Sequence, residues 1–334
     1  MTTATMPSAD IVFDTLFGYQ RSGALKAAIE LEIFTIIDAG AKTVAAIASR
    51  SRASERGIRI LCDYLTTIGL LTKSDGTYGL PPESAAFLSK QSRAYLGTTM
   101  QFLLLPELKL NIDSLTDAVR TGTVAPAADN TVSDENPIWV EFARSMGPMV
   151  MPAAQAIAEL VAGTGQLKVL DIAAGHGFFG ITIAQRNPRA EIVAVDWPNV
   201  LAVATEHAHA AGVQDRHRTL PGDAFKAEFP ADFDVALVTN FLHHFDPPTC
   251  TSFLKKVHAA LKPGGRVAVL EFVPNPDRVS PPVPARFSLA MLANTPAGDA
   301  YTLPELTQQL EGAGFRNVSA HALPTPQLII VAEA

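Results

Sequence analysis

The chain has 334 residues, of which 48% are hydrophobic and 18% charged, and its formal net charge is −7. This length predicts two domains, or one large domain with an appendage, and the apolar fraction is sufficient for a hydrophobic core. The two cysteines, Cys62 and Cys250, exclude a disulfide framework, the acidic balance argues against general polyanion binding, and the sequence has no recognisable signal peptide or membrane span. We therefore expect a cytoplasmic protein with no membrane or nucleic-acid partner.

Residues 1–115 are predicted to form a mostly helical domain. Thr43 is a candidate N-cap of one short helix, and the break at 51–54 separates it from a second helix with Ile58 and Leu65 on its apolar face. Asp75-Gly76 is a strong signal for a two-residue hairpin turn. A helix, a turn, a second helix and a small hairpin together predict a winged helix.

This winged helix has two interpretations. Arginines surround its second helix, where a DNA-reading helix carries its contacts, at positions Arg50, Arg52, Arg56 and Arg59. Acidic residues interleave with them, however, and the segment 95–110 is unusually apolar, as expected of a surface covered by a partner chain or by the second domain. The sequence favours a dimerisation or substrate-lid role, and a DNA-binding regulator remains the alternative.

Residues 116–160 are predicted to be a connector followed by a helical stretch. The connector is polar and punctuated by proline and glycine, whereas the helical stretch is rich in methionine and phenylalanine. We expect Trp139, Phe142 and Met146 to face a pocket, although methionines on helices are more often core residues.

Residues 161–334 are predicted to form an α/β domain. From Leu167 onward, runs of Val, Ile, Leu and Ala alternate with helical patterns, which is typical of a parallel sheet covered by helices on both faces. The last two strands are separated only by a proline-rich turn, and a parallel return needs a crossover of about a dozen residues or more. The predicted sheet is therefore mostly parallel and is closed by a terminal antiparallel hairpin.

The loop after the first strand carries the pattern G-x-G-x-x-G at residues 175–180. This pattern is typical of dinucleotide sites, so a nicotinamide-dependent dehydrogenase is one hypothesis. Asp171, however, ends the strand before the loop, where it would repel a pyrophosphate and suit an ammonium or sulfonium group. Asp196 can accept ribose hydroxyls, and Asp223 can reach an adenine amino group. These carboxylates favour S-adenosylmethionine over a dinucleotide.

A second set of candidate residues follows the fourth strand. His243 stands at its carboxyl end, where open α/β sheets bind ligands, and a near-neutral imidazole can accept a hydroxyl proton. Glu271 ends the next strand and could hold one ring nitrogen of His243. His244 is the weaker candidate, because neighbouring strand residues point to opposite faces. No Cys/His or carboxylate spacing in the sequence predicts a metal site.

Over nearly its whole length the chain resembles the S-adenosylmethionine-dependent O-methyltransferases of the plant caffeate, hydroxyindole and bacterial polyketide-tailoring type. The resemblance rests on the winged helix and on the segments VLDIAAGHGFFG, VAVDWPNV, GDAF, FLHHFDPPTCTSFLKKVHAALKPGGRVAVLEF and AMLANTPAGDAYTLPELTQQLEGAGF. It implies a class I, Rossmann-like methyltransferase domain at 161–334 and a dimerisation domain at 1–115. It also implies a metal-independent homodimer that O-methylates a small, aromatic molecule.

The resemblance further implies roles for individual residues. His243 would be the general base and Glu271 its partner. S-adenosylmethionine and its product S-adenosylhomocysteine would be bound by Asp171, Ala173, Gly175, Gly177, Asp196, Trp197, Asp223, Ala224, Phe225, Thr239 and Asn240. The methyl acceptor would be bound by Trp139, Phe142, Met146, Phe287, Met291 and Thr295.

Three positions depart from the family pattern. Ala173-Ala174 stand where Gly-Gly is frequent, and Thr239 stands where plant members have a lysine. The segment Ala300-Tyr301-Thr302 lacks the second carboxylate that plant members place just before the threonine. Because the His243–Glu271 pair lacks this support, N- or C-methylation with the same cofactor is the alternative hypothesis.

Overall fold

The computed structural model describes residues 8–126, 128 and 130–334. Residues 1–7 of the predicted N-terminal domain and positions 127 and 129 of the predicted connector lie outside the described residues. The chain divides into two compact units, which comprise residues 1–100 and 101–334.

The first unit is mostly helical, as predicted. Its elements are α1 (Asp10–Leu16), α2 (Gly18–Glu30), α3 (Ile33–Asp38), α4 (Val44–Ser51), α5 (Glu55–Thr67), β1 (Thr72–Ser74), β2 (Thr77–Gly79), α6 (Pro82–Leu88) and a 3-10 helix (Gly97–Thr99).

Side-chain caps and a tight turn define the middle of this unit. Oγ1 of Thr43 accepts a hydrogen bond from the backbone of Ala46 at 3.3 Å and begins α4, as predicted, and Ser54 caps α5 in the same way. Strands β1 and β2 pair antiparallel around Asp75 and Gly76, whose φ angles of 47° and 74° suit a two-residue hairpin turn. The predicted pair of helices and the predicted hairpin are both confirmed.

The charges of α5 are partly paired within the unit. Asp63 forms ion pairs with Arg59 at 3.2 Å and with Lys73 at 2.5 Å, and it accepts the hydroxyl of Tyr78 at 2.7 Å. The bond from Lys73, followed by that from Tyr78, holds the pKa of Asp63 below its ordinary value. Arg59, one of the arginines considered for DNA contact, is therefore paired with a carboxylate of its own helix.

The second unit is an α/β domain, as predicted. Its helices are α7 (Met100–Leu103), which starts at the unit boundary, α8 (Pro106–Asp113), α9 (Leu115–Thr121), α10 (Ile138–Ser145), α11 (Gly147–Val161), α12 (Phe178–Arg186), α13 (Pro198–Ala210), α14 (Pro247–Ala260), α15 (Pro282–Asn294) and α16 (Leu303–Gly312). Its strands are β3 (Leu167–Ile172), β4 (Ala190–Asp196), β5 (His217–Pro221), β6 (Phe233–Thr239), β7 (Leu261–Glu271), β8 (Arg316–Ala322) and β9 (Leu328–Glu333). Two 3-10 helices lie at Gln214–Arg216 and Leu242–His244.

The unit boundary at residue 100 differs from the predicted domain boundary near 115. Helices α8 and α9 pack against α15, so the segment that contains them belongs to the α/β unit. The sequence is helical and apolar on both sides of residue 100 and therefore carries no local signal for this break.

The seven strands of the large sheet are ordered β5-β4-β3-β6-β7-β9-β8. All neighbouring strands are parallel except β9, which pairs antiparallel with both β7 and β8. The predicted terminal antiparallel hairpin is thus confirmed. The strand order reverses between β3 and β6, and in open α/β sheets ligands bind at the carboxyl ends of the strands at such a reversal.

Both faces of the sheet are buried. Val169 and Leu170 of β3 are fully buried and belong to different core clusters, because successive strand residues point to opposite faces. One cluster joins the sheet to α14 and α16, and the other joins it to α11 and α12. This explains why the strands are continuously apolar rather than alternating. Among the helices of the described segments, none has the combined length and apolarity that crossing a bilayer requires.

Candidate active site

A cavity of about 440 Å³ lies within the second unit at the carboxyl ends of β3, β4 and β6. Predicted cofactor residues that line it are Ala173, Gly175, Asp196, Trp197, Asp223, Ala224, Phe225, Thr239 and Asn240. Predicted acceptor residues that line it are Trp139, Phe142, Met146, Phe287 and Met291, together with the predicted base His243. Four predicted site residues do not line it: Asp171, Gly177, Glu271 and Thr295.

The loop between β3 and α12 requires unusual backbone angles. Gly177 begins α12 with a φ of 75°, and a Cβ there would lie 3.0 Å from the Cβ of Ala204. Glycine is therefore needed at position 177 both for the turn and for close packing on α13. Ala173 has a φ of 51°, in the left-handed region where glycine is favoured. The alanine that departs from the family pattern is thus accommodated at a strained position.

Asp171 lies beneath this loop and not in the cavity wall. Its Oδ2 accepts a hydrogen bond from the backbone of Gly180 at 3.0 Å, and its Oδ1 has no hydrogen-bond partner among the described residues. Burial, helped by the charge of Asp196, raises the pKa of Asp171 to about 8. A carboxyl with this pKa is mostly protonated at neutral pH, and its bond to Gly180 supports the loop from beneath.

Asp196 ends β4 and faces the cavity. Its Oδ2 accepts a hydrogen bond from the backbone of Gly175 at 2.8 Å, and its Oδ1 accepts one from the backbone of Trp197 at 2.7 Å. Burial raises the pKa of Asp196 to about 6, while the two backbone donors oppose this rise. Asp196 is therefore mostly ionised at neutral pH, and each oxygen keeps a lone pair for a further donor.

Asp223 and Asn240 line the cavity from the loops after β5 and β6. Oδ1 of Asp223 accepts a hydrogen bond from the backbone of Phe225 at 2.9 Å, and Oδ2 pairs with Lys226 at 3.0 Å. Asn240 has a φ of 54°, and its side-chain oxygen accepts a hydrogen bond from Gln327. Both side chains therefore stabilise their own loops as well as facing the cavity.

His243 and Glu271 form a buried pair at the end of β6 and β7. Nδ1 of His243 donates to Oε2 of Glu271 at 2.5 Å, and the two side chains are 4% and 2% exposed. The predicted contact between them is thus present. Because Glu271 can only accept when ionised, it fixes the imidazole proton on Nδ1 and leaves the Nε2 lone pair free.

The backbone that carries His243 is held at several points. Oε1 of Glu271 accepts hydrogen bonds from the backbones of Phe241 and Leu242 at 3.1 and 2.9 Å. The hydroxyl of Tyr301 donates to the carbonyl of Phe245. Glu271 therefore orients both the ring of His243 and the turn on which it stands. Tyr301 directly follows Ala300, the position at which the family's second carboxylate is absent.

The prediction that the side chain of His244 points away from the cavity is wrong. His244 lines the cavity, and its ring centroid lies 4.3 Å from that of His243. The prediction assumed that the strand continues, whereas Leu242–His244 form a 3-10 helix in which successive side chains do not alternate between two faces.

The end of the cavity around His243 is mainly apolar. Phe287 packs edge-on against the His243 ring with centroids 4.9 Å apart, and Trp139 packs edge-on against His244 at 5.2 Å. Thr295 is buried behind Met291, to whose carbonyl it donates at 2.7 Å, so it supports the wall rather than forming it.

His176 lines the cavity although no sequence pattern pointed to it as a site residue. Its imidazole stacks between Phe142 and Phe178, at centroid distances of 5.8 and 5.0 Å, and burial lowers its pKa to about 3. The sequence feature that could have identified His176 as a site residue is its position between two glycines of the loop. In the part of the chain that the structure describes, no group of three or more His, Cys, Asp or Glu side chains is arranged to hold a metal ion.

Two family profiles match this chain. The profile of the O-methyltransferase domain matches residues 130–316, which is more than half of the chain. The profile of the O-methyltransferase dimerisation domain matches residues 13–90, which lie in the first unit.

Individual relatives cover almost the whole chain. A solved structure of a putative O-methyltransferase from Nostoc punctiforme is 47% identical, covers 99% of this chain and 100% of its own, and superposes with a TM-score of 0.95. The 3-hydroxy-5-methyl-1-naphthoate 3-O-methyltransferase of Streptomyces sahachiroi is 28% identical over 95% of this chain and 92% of its own. The S-adenosyl-L-methionine-dependent methyl transferase PigF of a Serratia species is 26% identical over 98% of this chain and 97% of its own.

Proposed function

The chain belongs to the O-methyltransferase family and is an S-adenosylmethionine-dependent methyltransferase, and from this premise we propose that it methylates a hydroxyl of a small aromatic molecule with His243 as general base. The observation that carries the proposal is the 2.5 Å bond between His243 and Glu271. His243 lines the same cavity as Asp196 and the glycine-rich loop, and Glu271 lies behind it.

The charges of the cavity fit a cationic nucleoside better than a polyanion. Among the described residues that line it, there is no lysine or arginine, whereas Asp196 and Asp223 present carboxylates. A dinucleotide would place its pyrophosphate in such a site without a compensating cation. This supports S-adenosylmethionine and argues against a nicotinamide-dependent dehydrogenase.

We assign the nucleoside end of the cavity to the loops after β3, β4, β5 and β6. Asp196 would accept the ribose hydroxyls with its remaining lone pairs, and Asp223 would accept the adenine amino group. Asp171 and Gly177 would support this end from behind. The remaining residues of the assignment are Ala173, Gly175, Trp197, Ala224, Phe225, Thr239 and Asn240. When bound, S-adenosylmethionine supplies an electrophilic methyl group on a sulfonium leaving group.

The chain's own part in the reaction is to position the acceptor, exclude water and remove one proton. Nε2 of His243 accepts the hydroxyl proton as the oxygen attacks, and Glu271 stabilises the imidazolium that forms. An imidazole with a free Nε2 lone pair is a suitable acceptor for the proton of a phenol, a group of pKa ~10. Positioning of the acceptor supplies much of the rate enhancement. Because the sulfonium is already a good leaving group, the reaction needs mainly an aligned nucleophile.

The walls near His243 indicate the class of acceptor. Trp139, Phe142, Met146, Phe287 and Met291 present aromatic rings and thioethers, and these surfaces fit a flat, apolar molecule. The matched Streptomyces enzyme is named for a naphthoate. Both observations support an aromatic hydroxyl compound of one or two rings.

We further propose that the protein is a homodimer that pairs through its first unit. That unit contains the family's dimerisation domain. Helices α1 and α2 expose apolar side chains that a monomer would leave in water, namely Ile11 (76% exposed), Leu16 (61%) and Tyr19 (71%). A second copy would cover them.

The identity of the methylated atom tests the proposed chemistry. We expect the protein and S-adenosylmethionine to convert 1-naphthol into its methyl ether, with the product identified by NMR and mass spectrometry. The matched amine, 1-naphthylamine, should react far more slowly. An N-methyl or ring C-methyl product would instead favour N- or C-methylation. The observation that supports this alternative is the buried Ala300, which stands where plant members have a carboxylate.

Removal of the Asp196 carboxylate tests the cofactor site. Asp196→Ala is expected to weaken S-adenosylhomocysteine binding by about 10- to 100-fold, because hydrogen bonds to a charged partner contribute about 1.5–3 kcal/mol each. Isothermal titration calorimetry measures this change. Asp215→Ala, at an exposed site that does not line the cavity, is the matched control and should bind normally. Equal affinity of the two variants would contradict the assignment of Asp196.

A further inference from the structure

We propose that His244 is a specificity-determining residue whose Nε2–H donates a hydrogen bond to a second oxygen of the acceptor, beside the hydroxyl that is methylated. The inference rests on the proposed function, since it concerns the same cavity. It narrows the substrate class to aromatic molecules in which the reactive hydroxyl has an oxygen substituent, a hydroxyl or a carbonyl, on the adjacent carbon.

The first observation is that His244 has unused hydrogen-bonding capacity in a buried place. The side chain is 9% exposed and lines the cavity, and its Nδ1 is fully buried without a hydrogen-bond partner among the described residues. Among the described residues, its ring contacts are aromatic, edge-on with Trp139 and Phe245 and tilted against His243. A buried polar ring without a partner is costly, and a ligand oxygen that accepts from its remaining nitrogen, Nε2, would give the ring one hydrogen bond.

The second observation is that the other polar side chains at this end already have partners. The indole nitrogen of Trp139 donates to the carbonyl of Thr131 at 2.8 Å. Asn294 donates to the carbonyl of Ala290 and accepts from Asn111, at 2.8 and 2.7 Å. Within the segments that the structure describes, Trp139 and Asn294 thus have hydrogen-bond partners, whereas Nε2 of His243 and the ring of His244 have none.

The third observation concerns which nitrogen carries the proton. Burial, followed by the charge of the neighbouring His243, lowers the pKa of His244 well below its ordinary value, so the ring is neutral and carries one N–H. Buried N–H groups without acceptors are rarer than buried acceptors without donors. The unpartnered Nδ1 is therefore the acceptor nitrogen, and the proton is on Nε2, which makes His244 a donor.

The spacing of the two rings gives the geometry of the acceptor. Their centroids are only 4.3 Å apart, so a flat molecule that presents one oxygen to His243 presents its immediate neighbour to His244. His243 then receives a proton from one oxygen, while His244 gives a hydrogen bond to the other. The neighbouring donor also stabilises negative charge that develops on this edge of the acceptor.

The test compares two naphthols that differ by one oxygen. For wild type, His244→Phe and His244→Gln, we would measure kcat/KM for methyl transfer to 2,3-dihydroxynaphthalene and to 2-naphthol. Their affinities for the complex with S-adenosylhomocysteine would be measured by calorimetry. Wild type should prefer the dihydroxy compound by about 10-fold beyond the statistical factor of its two equivalent hydroxyls.

The variants separate hydrogen bonding from packing. His244→Phe keeps a flat ring and loses the donor, so the preference should fall to the statistical factor, while His244→Gln places an amide N–H near the Nε2 position and should recover part of it. A wild-type enzyme with no preference, or a preference unchanged in His244→Phe, would overturn the inference and leave the proposed function intact. Binding of neither compound would contradict the proposed acceptor class as well.

Discussion

Replacement of His243 by asparagine is expected to lower kcat/KM for methyl transfer about 10³-fold, while the affinity for S-adenosylhomocysteine stays unchanged. The asparagine amide nitrogen takes the place of Nδ1, so the bond to the buried Glu271 is kept and only the basic Nε2 is lost. Initial rates of S-adenosylhomocysteine release and calorimetric binding measure the two quantities.

Two comparisons make this result specific. His209→Asn changes an exposed histidine on α13 and should leave turnover unchanged. Glu271→Gln should lower turnover by on the order of 10²–10⁴-fold, because an amide donor at the Oε2 position would move the imidazole proton to Nε2 and remove the basic lone pair. If His243→Asn kept turnover within a few-fold of wild type, the base role would fail, and positioning beside a sulfonium would explain the rate by itself.

The sequence was sufficient for the fold because its patterns are local. The alternation of Val/Ile/Leu runs with helical periods is set by strands buried on both faces, such as β3 and β6, and this pattern is visible without any contact information. The Asp75-Gly76 turn and the Thr43 cap are equally local. The break at residue 100, in contrast, depends on where α8 and α9 pack, and packing of distant segments leaves no periodic mark.

The candidate site was predictable to the extent that it follows strand ends. Asp196 and Glu271 end strands and His243 lies in the short 3-10 helix that follows β6, so the topology brings all three to one edge of the sheet. Predictions that needed side-chain direction were less successful. His244 was expected to point away because a continued strand was assumed, and Asp171 was expected to face a ligand although the loop covers it.

Near Ala300, where the second carboxylate of the plant enzymes is missing, the chain packs closely against the histidine turn. Gly298 lies against the turn that carries both histidines: a Cβ there would lie far inside van der Waals contact of the His243 carbonyl oxygen and 3.0 Å from the His244 carbonyl carbon. The Tyr301 hydroxyl holds the next carbonyl of the same turn, that of Phe245. The turn that carries His243 is thus contacted by backbone on the side where the second carboxylate is missing.

Gly298→Ala is therefore expected to lower turnover about 10²-fold, since a displacement of roughly 1 Å at a reacting group can have this effect. Overpacking of a close backbone contact destabilises by about 1–3 kcal/mol, which corresponds to a Tm lower by roughly 3–10 °C for a unit of this size. Initial rates and thermal melting measure these changes. S-adenosylhomocysteine affinity should change little, because Gly298 does not line the cavity.

Gly165→Ala is the matched control, because a Cβ at that position meets nothing within 4 Å and its φ is not in the left-handed region. It should match wild type in both turnover and Tm. A Gly298→Ala protein that melts earlier but keeps full turnover would show that the contact serves stability alone. The expected combination, lost turnover with retained binding of S-adenosylhomocysteine, would instead show that the backbone beside Ala300 determines the orientation of His243. Close packing at Gly298 would then orient the histidine turn, as the second carboxylate does in the plant enzymes that this chain resembles.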